Sequence, residues 1–412
     1  MNIEVKERVL QINMGQVPKG YKKTKVGIIP EEWNLKILGS LGEFKKGKGI
    51  SIEDTTETGL PAMMYGDIYV KYNTQFNKVD FRINQNIAQN SRKVNKGDLL
   101  FTGSGETAIE IGKCVSYQGE ETIYIGGDII GLTPKKDDSL FLAYQQNGYE
   151  QTKQKARFGQ GHSVVHIYTH HIKSLIIALP PLSEQQKIAE ILSICDKVIK
   201  LKEKLIEQKK LQKKYLMQAL LDSKSPNFRQ LTGFKGEWQE VNLEDISEIT
   251  TGKLDANAMT ENGNYKFFTC AKESYLINKY AFDTEALLVS GNGANVGYVH
   301  YYKGKFNAYQ RTYVIDKFKQ NIILIKYMLD KFLKARIHKE KNEGNTPYIR
   351  LDTLGKMKIK LPLAVEQKSI VDVLSAVDQE IGLLKKELEQ QKLKKKALMQ
   401  LLLTGKVRVN VS

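Results

Sequence analysis

Residues 179–221 read LPPLSEQQKIAEILSICDKVIKLKEKLIEQKKLQKKYLMQALL. When the numbering is shifted by 182, this segment falls without a gap on residues 361–403, and 22 of the 43 aligned positions are identical. Unrelated segments of this composition would share only a few residues, so the chain contains an internal duplication. The sequences that precede the two copies are therefore expected to form two related units.

Both copies predict long helices. Lys202 interrupts the apolar stripe of the first copy, and Ser183 with Gln186 fits a capping box after Pro180 and Pro181. Gln391 and Lys395 interrupt the stripe of the second copy. Apolar residues of the second copy recur three and four positions apart, as on one helix face: Ile370, Leu374, Val377, Ile381, Leu384, Leu388, Leu398 and Leu402.

Each helix is expected to pack against the other, because neither can bury its apolar stripe alone. A variable unit lies between the end of the first helix and the start of the second, and the ends of a domain often lie close together. The second helix is then expected to run back along the first. The alternative is two separate helices on the surfaces of two domains.

The composition indicates a basic protein of a reducing compartment. The 412 residues include 63 Lys and Arg against 46 Asp and Glu, which gives a formal net charge of +17. This excess favours contact with a polyanion, although a lysine-rich proteome would produce it too. Cys114, Cys195 and Cys270 are too few and too scattered for a disulfide framework or a zinc site. With no apolar run of membrane-spanning length and no signal-peptide core, a cytoplasmic location is expected.

The two variable units are related but unequal. Trp33 and Trp238 open them 205 positions apart, whereas the helices are 182 apart, so the first unit is 23 residues longer. Short β-type runs separated by Gly-rich turns dominate both units, and helical patterns cover residues 140–156 and 322–337. Each unit is predicted to be a compact α+β domain.

Two short motifs suggest cofactor or catalytic sites. Residues 103–108 fit the dinucleotide pattern G-x-G-x-x-A, but residues 109–115 are β-branched and broken by glycine where that site needs a helix. We interpret the motif as a polar hairpin loop. Residues 345–348, Asn-Thr-Pro-Tyr, resemble the N-P-P-Y loop of adenine methyltransferases, with Thr346 in place of the first proline, and no glycine-rich cofactor motif accompanies them.

The histidines show no spacing typical of a metal site or a catalytic triad. His166, His170 and His171 are close in sequence, but the region reads as strand, on which His166 and His170 would not act as a helical pair. They are predicted to be surface histidines, and no metal site is predicted.

The loops of both units carry residues suited to nucleic acid. Lysines can hold phosphates as point charges, and amide, imidazole, hydroxyl and guanidinium groups can contact base edges. The candidate DNA-binding residues are Lys45, Lys46, Lys48, Ser104, Thr107, Gln160, His162, Ser163, Lys253, Asn292, Asn295, Gln310, Arg311, Asn345 and Arg350.

The whole pattern resembles the specificity subunit of type I restriction-modification enzymes. The residues that carry the resemblance are Gly20-Tyr21-Lys22 with Ile29-Pro30-Glu31-Glu32-Trp33, Gly233-Phe234-Lys235-Gly236-Glu237-Trp238, Leu179-Pro180 with Glu184-Gln185, Leu361-Pro362 with Glu366-Gln367, and Leu398-Met399-Gln400 with Thr404-Gly405-Lys406. The match spans nearly the full chain, but the interiors of the variable units are not specific to the family.

The resemblance implies an α+β fold with two globular α+β target recognition domains joined by two long antiparallel coiled-coil helices, arranged with pseudo-two-fold symmetry. The expected divisions are an N-terminal segment at residues 1–26, target recognition domains at 27–178 and 223–360, a spacer helix at 179–222, and a second spacer helix with the C-terminal tail at 361–412.

By the same resemblance, the chain is a non-catalytic subunit that recognises a bipartite, asymmetric sequence in double-stranded DNA. Its expected partners are two modification (methyltransferase) subunits, which Lys202 and Gln208 would face, and restriction subunits. S-adenosylmethionine, ATP and Mg²⁺ would be used by those partners, and this chain would hold no cofactor. The alternatives are a self-sufficient adenine-N6 DNA methyltransferase using Asn345 and Tyr348, and a coiled-coil assembly protein without DNA function.

Overall fold

The computed structural model describes residues 3–161, 163–340 and 348–410. The chain folds into two compact units. Unit 1 comprises Met1–Lys202 together with Glu387–Ser412, and unit 2 comprises Glu203–Lys386.

Unit 1 contains a five-stranded and a four-stranded sheet, small two-stranded sheets and short helices. The strands of unit 1 are β1 (Tyr21–Thr24), β2 (Gly27–Pro30), β3 (Asn34–Ile37), β4 (Gly42–Lys46), β5 (Thr55–Met63), β6 (Gln75–Phe76), β7 (Phe81–Ile83), β8 (Arg92–Val94), β9 (Leu99–Thr102), β10 (Ser104–Gly105), β11 (Cys114–Tyr117), β12 (Ile123–Ile125), β13 (Ile129–Pro134), β14 (Val165–His166) and β15 (Ile176–Leu179). The five-stranded sheet has the order β4-β13-β9-β11-β6, and the four-stranded sheet has the order β7-β5-β12-β8. The helices that begin in unit 1 are α1 (Ile3–Asn13), α2 (Tyr65–Val70), α3 (Gln85–Asn90), α4 (Ser139–Gln146), α5 (Tyr149–Ala156), α6 (Thr169–Lys173) and α7 (Leu182–Leu221).

Strand β9 lies between the two parts of the unit 1 core. Leu99 and Phe101 pack into the cluster that contains Phe141 of α4, whereas Leu100 packs into the cluster that contains Ile125 of β12. Successive side chains of a strand point to opposite faces, so a continuous apolar run marks a strand that is covered on both sides.

Unit 2 is built around one six-stranded sheet of order β17-β22-β20-β21-β18-β19. Its strands are β16 (Gln239–Asn242), β17 (Glu248–Thr251), β18 (Tyr265–Phe268), β19 (Tyr275–Ile277), β20 (Phe282–Ser290), β21 (Val299–Ala308), β22 (Thr312–Asp316) and β23 (Lys358–Leu361). The helices that begin in unit 2 are α8 (Leu243–Ile246), α9 (Ile322–Lys339), α10 (Leu351–Gly355) and α11 (Ala364–Leu402). As with β9, Leu287 of β20 packs towards α9 and Leu288 packs into a separate cluster.

The leucine of each Leu-Pro pair ends a strand, and this strand pairs with the strand that follows the opening tryptophan of the same unit. In unit 1, β15 pairs antiparallel with β3, so that Leu179 lies opposite Asn34. In unit 2, β23 pairs antiparallel with β16, so that Leu361 lies opposite Gln239. Each long helix therefore leaves a unit next to the tryptophan that opens it.

The glutamine of each Glu-Gln pair attaches the long helix to a second helix of the same unit. In unit 1, Gln185 accepts from the backbone N–H of Asp138 at 2.9 Å and donates to the carbonyl of Pro180 at 3.0 Å. In unit 2, Gln367 accepts from the N–H of Asn321 at 3.2 Å and donates to the carbonyl of Pro362 at 2.9 Å. Asp138 and Asn321 are the N-caps of α4 and α9, so both units use the same bond to fix the start of the same helix.

The glutamate of each pair is buried, and its partners differ between the units. In unit 1, Glu184 is 0% exposed; it accepts from Trp33 Nε1 at 3.0 Å and from Arg408 Nε and Nη2 at 2.6 and 2.9 Å. In unit 2, Glu366 accepts from Gln230 Nε2 at 3.1 Å. The arginine of the C-terminal tail thus neutralises a carboxylate that would be costly to bury alone.

A Lys-Asp-Tyr cluster joins the long helices in unit 1. Lys395 of α11 contacts Asp196 of α7 at 2.5 Å, and Tyr144 of α4 donates to the same carboxylate at 2.6 Å. The Lys395 ammonium also lies 5.3 Å from the centre of the Tyr144 ring. Burial and the hydrogen bond to Asp196 raise the pKa of Tyr144, so its hydroxyl stays protonated and donates.

Unit 2 contains the same cluster, with the lysine and the aspartate 182 positions away and the tyrosine 183 positions away. Lys213 of α7 contacts Asp378 of α11 at 2.7 Å, and Tyr327 of α9 donates to Asp378 at 2.7 Å. The Lys213 ammonium lies 5.1 Å from the centre of the Tyr327 ring. The duplication therefore includes the contacts as well as the sequence.

The predicted antiparallel pairing is confirmed in each unit. In unit 1, Lys395 contacts Asp196 and the earlier residue Glu387 contacts the later residue Lys202. Unit 2 repeats this order, with Lys213–Asp378 and Lys209–Glu380. The α+β fold class is also confirmed.

One prediction about the first long helix, the capping box, is wrong. Helix α7 begins at Leu182, so Ser183 lies inside the first turn and does not cap it; the carbonyl of Pro181 accepts from the N–H groups of Glu184 and Gln185 instead. Lys202 faces the other long helix, because its ammonium lies 2.6 Å from Glu387. Gln208 is exposed, and its contact with a partner stays a prediction.

The helix predicted at residues 140–156 is two helices, α4 and α5. The break falls at Asn147, whose side chain accepts from the N–H of Cys114 at 3.0 Å and donates to its carbonyl at 2.6 Å. Asn147 caps the end of α4 while its amide completes the backbone hydrogen bonds of β11, and the extended backbone of Gly148 separates α4 from α5. Among the described residues, no helix is long and apolar enough to cross a membrane.

Candidate nucleic-acid interfaces

In unit 1, a cluster of polar side chains forms where β9 ends. Ser104 donates to Asp128 Oδ2 at 3.0 Å, and its oxygen lies 2.9 Å from His166 Nδ1. The serine proton is directed at Asp128, so the Ser104 oxygen accepts the second bond from His166 Nδ1. Asp128 and His166 are both half-buried, whereas Ser104 is buried.

The backbone around this cluster is tightly constrained. Asp128 has φ +60°, which is uncommon for a residue other than glycine. Its carbonyl accepts from the N–H of Gly103 at 2.6 Å, and the carbonyl of Gly103 accepts from the N–H of Ile167 at 2.9 Å. Tyr69 supports the loop, because its hydroxyl donates to the carbonyl of Ser104 at 3.1 Å.

Three predicted phosphate-binding lysines of unit 1 lie at the end of β4 or just after it, beside this cluster. Lys45 and Lys46 end β4, and Lys46 lies opposite Ile130 of β13. The N–H of Gly47 donates to the carbonyl of Ile129, which follows Asp128 directly, at 2.8 Å. The side chain of Lys48 is exposed, with no ion pair among the described residues.

In unit 2, a matching cluster forms where β20 ends. The carbonyl of Arg311 accepts from the N–H of Gly291 at 2.9 Å, and the carbonyl of Gly291 accepts from the N–H of Ile349 at 2.7 Å. Asn292 pairs with Tyr348 in an isolated β-bridge, and its Oδ1 accepts from Cys270 Sγ at 3.0 Å. The side chain of Arg311 is exposed, and it makes no hydrogen bond or ion pair in the described part of the chain.

The two clusters occupy equivalent places in their units, because the same backbone bonds surround them. The N–H of Gly103 donates to the carbonyl of Asp128, and the N–H of Gly291 donates to the carbonyl of Arg311. A lysine follows an equivalent glycine in both units: the N–H of Gly252, before Lys253, donates to the carbonyl of Thr312 at 3.2 Å, as that of Gly47 does to Ile129.

A side chain at either equivalent glycine would collide with backbone. A Cβ at Gly47 would lie 1.7 Å from the carbonyl oxygen of Gly126, and one at Gly252 would lie 1.9 Å from that of Ala308. The close approach explains why both lysines follow glycine. The units thus share a backbone frame and a lysine, and they differ in the side chains that the frame presents.

The other predicted site residues lie around these clusters. Gln160 forms a β-bridge with His166, and Ser163 is exposed in the adjoining turn. Thr107 donates to Glu110 at 3.2 Å, so its hydroxyl is engaged locally. His162 and Asn345, the latter in the Asn-Thr-Pro-Tyr motif, lie outside the described residues.

In unit 2, Asn295 donates to the carbonyl of Cys270 at 3.1 Å and supports the loop that contacts Asn292. Gln310 donates to Asp255 at 2.8 Å. Arg350 donates to the hydroxyl of Tyr348 at 3.1 Å, and its guanidinium lies 5.7 Å from the centre of that ring.

The interpretation of residues 103–108 as a polar hairpin loop is wrong for Ser104 and Gly105. These residues form β10, which pairs antiparallel with Val165 and His166 of β14. The prediction of strand across the histidines holds at His166 but fails at His170 and His171, which lie on α6. Among the described residues, no group of three or more His, Cys, Asp or Glu side chains could hold a metal ion.

Sequence reasoning missed Asp128 and His166 as members of the unit 1 cluster. Asp128 is 24 residues from Ser104, and His166 is 62 residues away. The similarity of the two units was the available signal. Asp128 in unit 1 lies at the position equivalent to that of Arg311 in unit 2, and Arg311 was among the predicted residues.

Comparison with known proteins identifies the family. The family model described as "Type I restriction modification DNA specificity domain" matches residues 30–210 and again residues 235–393. The chain belongs to this family. The two matches fall mainly on the two units, and the specificity-subunit assignment predicted from the resemblance is confirmed.

Individual specificity subunits differ in how much of the chain they match. The EcoDI specificity subunit of Escherichia coli is 42% identical over 158 residues, which are 37% of this chain and 34% of that protein, so the chain spans about a third of its length. The MjaVIII specificity subunit of Methanocaldococcus jannaschii is 27% identical over 92% of this chain and 94% of its own. The S subunit of M. genitalium has the same fold, with a TM-score of 0.60 at 16% identity over 90% of this chain and 96% of its own.

Proposed function

We propose that this specificity subunit reads a DNA target made of two unlike half-sites, one with each unit. The observation that carries the proposal is that equivalent backbone hydrogen bonds surround the two clusters. At equivalent positions, and near an equivalent lysine, unit 1 presents Asp128 and unit 2 presents Arg311. A carboxylate and a guanidinium select different base edges. The target therefore has different halves and is not a palindrome.

The same proposal assigns the chemistry to partner subunits. Modification subunits transfer a methyl group from S-adenosylmethionine to adenine, and restriction subunits use ATP and Mg²⁺. This chain recognises the target sequence for them. The net charge of +17 supports binding to duplex DNA, since neutralising phosphates and releasing their counterions drives such binding.

The purified chain is expected to transfer no methyl group by itself. It is incubated with duplex DNA and labelled S-adenosylmethionine, first alone and then with its modification subunits, and the label in DNA is counted. Label should enter adenine only in the second mixture. Transfer by the chain alone, abolished by Tyr348→Ala, would instead establish the self-sufficient adenine methyltransferase.

Exposed leucines at equivalent positions of the two long helices support the binding of two identical modification subunits. Leu201 and Leu383 occupy equivalent positions and are 57% and 61% exposed, and Leu211 and Leu393 are equivalent and 65% and 66% exposed. Unit 1 contains Leu201 and Leu393, and unit 2 contains Leu383 and Leu211. Each unit thus presents one leucine from each long helix, which is the pattern expected of two identical docking surfaces.

The substitution of both leucines in one unit is expected to remove one partner. Leu201→Glu with Leu393→Glu places two charges on the docking surface of unit 1 only, so native mass spectrometry should show one bound modification subunit where the parent binds two. Ile109→Glu, at a residue that is 71% exposed in the same unit, is the matched control and should still bind two. Two bound subunits in the double variant would refute the assignment of this surface.

A further inference from the structure

The two equivalent clusters differ in whether they offer hydrogen-bond acceptors or donors. In unit 1, Asp128 Oδ2 accepts from Ser104, and Asp128 Oδ1 has no partner in the described part of the chain. His166 Nδ1 is engaged with Ser104. The unit 1 cluster therefore presents a carboxylate acceptor.

The unit 2 cluster presents donors. Arg311 carries five N–H donors, and none of them is engaged within residues 3–161, 163–340 or 348–410. Asn292 Oδ1 accepts from Cys270, and the two donors of Nδ2 make no hydrogen bond within the described residues. Arg350 stacks on Tyr348 and adds a second guanidinium to the same cluster.

Equivalent backbone hydrogen bonds and an exposed lysine surround both clusters. Lys48 and Lys253 are exposed at equivalent positions, and the carbonyls of Asp128 and Arg311 accept equivalent bonds from Gly103 and Gly291. A lysine that contacts phosphate positions the protein without reading sequence, whereas a side chain that contacts a base edge specifies it. The difference between the two targets is then concentrated at residues 128 and 311.

Resting on the proposed function, we propose that Asp128 and Arg311 are equivalent specificity-determining residues, that Asp128 selects a cytosine in the half-site of unit 1, and that Arg311 selects a guanine in the half-site of unit 2. In the major groove, a carboxylate accepts from the N4 amino group of cytosine, and a guanidinium donates to O6 and N7 of guanine. Ser104 is a positioning residue for Asp128, since its hydroxyl fixes one carboxylate oxygen and leaves the other for the base.

The test uses the complete complex of the chain with its modification subunits on a plasmid library that contains randomised target positions, with methylated sites read by sequencing. Arg311→Ala should make one guanine position of one half-site indifferent to base, a loss of about 5- to 150-fold in discrimination. Asp128→Gly removes the carboxylate at a positive φ that glycine accepts, and one cytosine position of the other half-site should become indifferent. Asp128→Asn should shift that position towards adenine, because an amide pairs with N6 and N7 of adenine.

Matched variants separate base reading from phosphate contact and from folding. Lys253→Ala should weaken methylation of all sites and leave the motif unchanged. Arg229→Ala and Asp80→Ala change exposed residues away from the clusters and should change neither quantity. A parent complex that methylates no specific motif would refute the proposed function itself. A specific motif that survives Arg311→Ala and Asp128→Gly, or that weakens uniformly without relaxing, would overturn only the roles of these two residues.

Discussion

Replacing Asp196 with alanine is expected to lower the free energy of unfolding by about 3–5 kcal/mol, because it leaves a buried lysine without a counter-ion. The side chains of Lys395 and Asp196 are 10% and 16% exposed, and Tyr144 donates to the same carboxylate. The variant therefore loses an ion pair and two hydrogen bonds, from Tyr144 and from Asn73, at the place where α4 meets both long helices. Urea unfolding followed by circular dichroism measures the change.

The controls for Asp196→Ala come from the same helix and from the other unit. Glu190→Ala removes an exposed ion pair with Lys187 in α7 and should cost less than about 1 kcal/mol. Asp378→Ala should cost less than Asp196→Ala, since the Lys213–Asp378 pair is 23% and 40% exposed. The combined variant Asp196→Leu, Lys395→Met and Tyr144→Phe should recover most of the loss. Equal losses for Asp196→Ala and Glu190→Ala would show that the cluster is not a stabilising contact.

The long helices could be predicted from sequence because their signal is local and repeated. The apolar stripe identified Ile370, Leu374 and their counterparts Ile188 and Leu192, all of which are buried. The interruption at Lys395 could not be explained from the helix alone. Its partners lie 199 residues away at Asp196 and in α4, and only the folded unit shows that this lysine is neutralised within the seam.

The candidate sites could be predicted only in part. Composition and loop position were enough to identify Arg311, Asn292 and Ser104, because such residues are common in contacts with nucleic acid. Asp128 carries a charge that disfavours phosphate, so a search for basic and amide residues passes over it. Its role becomes visible when β13 places it next to Ser104 and when the backbone bonds of Gly103 and Gly291 align it with Arg311.

The spacing of the half-sites is expected to follow the length of the long helices. Lys204 and Lys386 occupy equivalent positions, and inserting one heptad after each preserves the ion pairs of both units, because Asp196 and Lys202 precede the first insertion and Lys209 and Lys213 follow it. Seven residues add about 10 Å of helix and keep the apolar stripe in phase. At about 3.4 Å per base pair, the gap should lengthen by up to about three base pairs. Inserting the heptad in α7 alone is the control, and it should disrupt the pairing register.

The most direct measurement is the methylated motif of the complex that carries both insertions, read by sequencing beside that of the parent. The account predicts that both half-sites keep their bases and that only the number of unspecified base pairs between them rises. A motif whose gap is unchanged, or whose two halves are identical in the parent, would contradict the proposal that the two units read unlike half-sites whose spacing follows the length of the long helices.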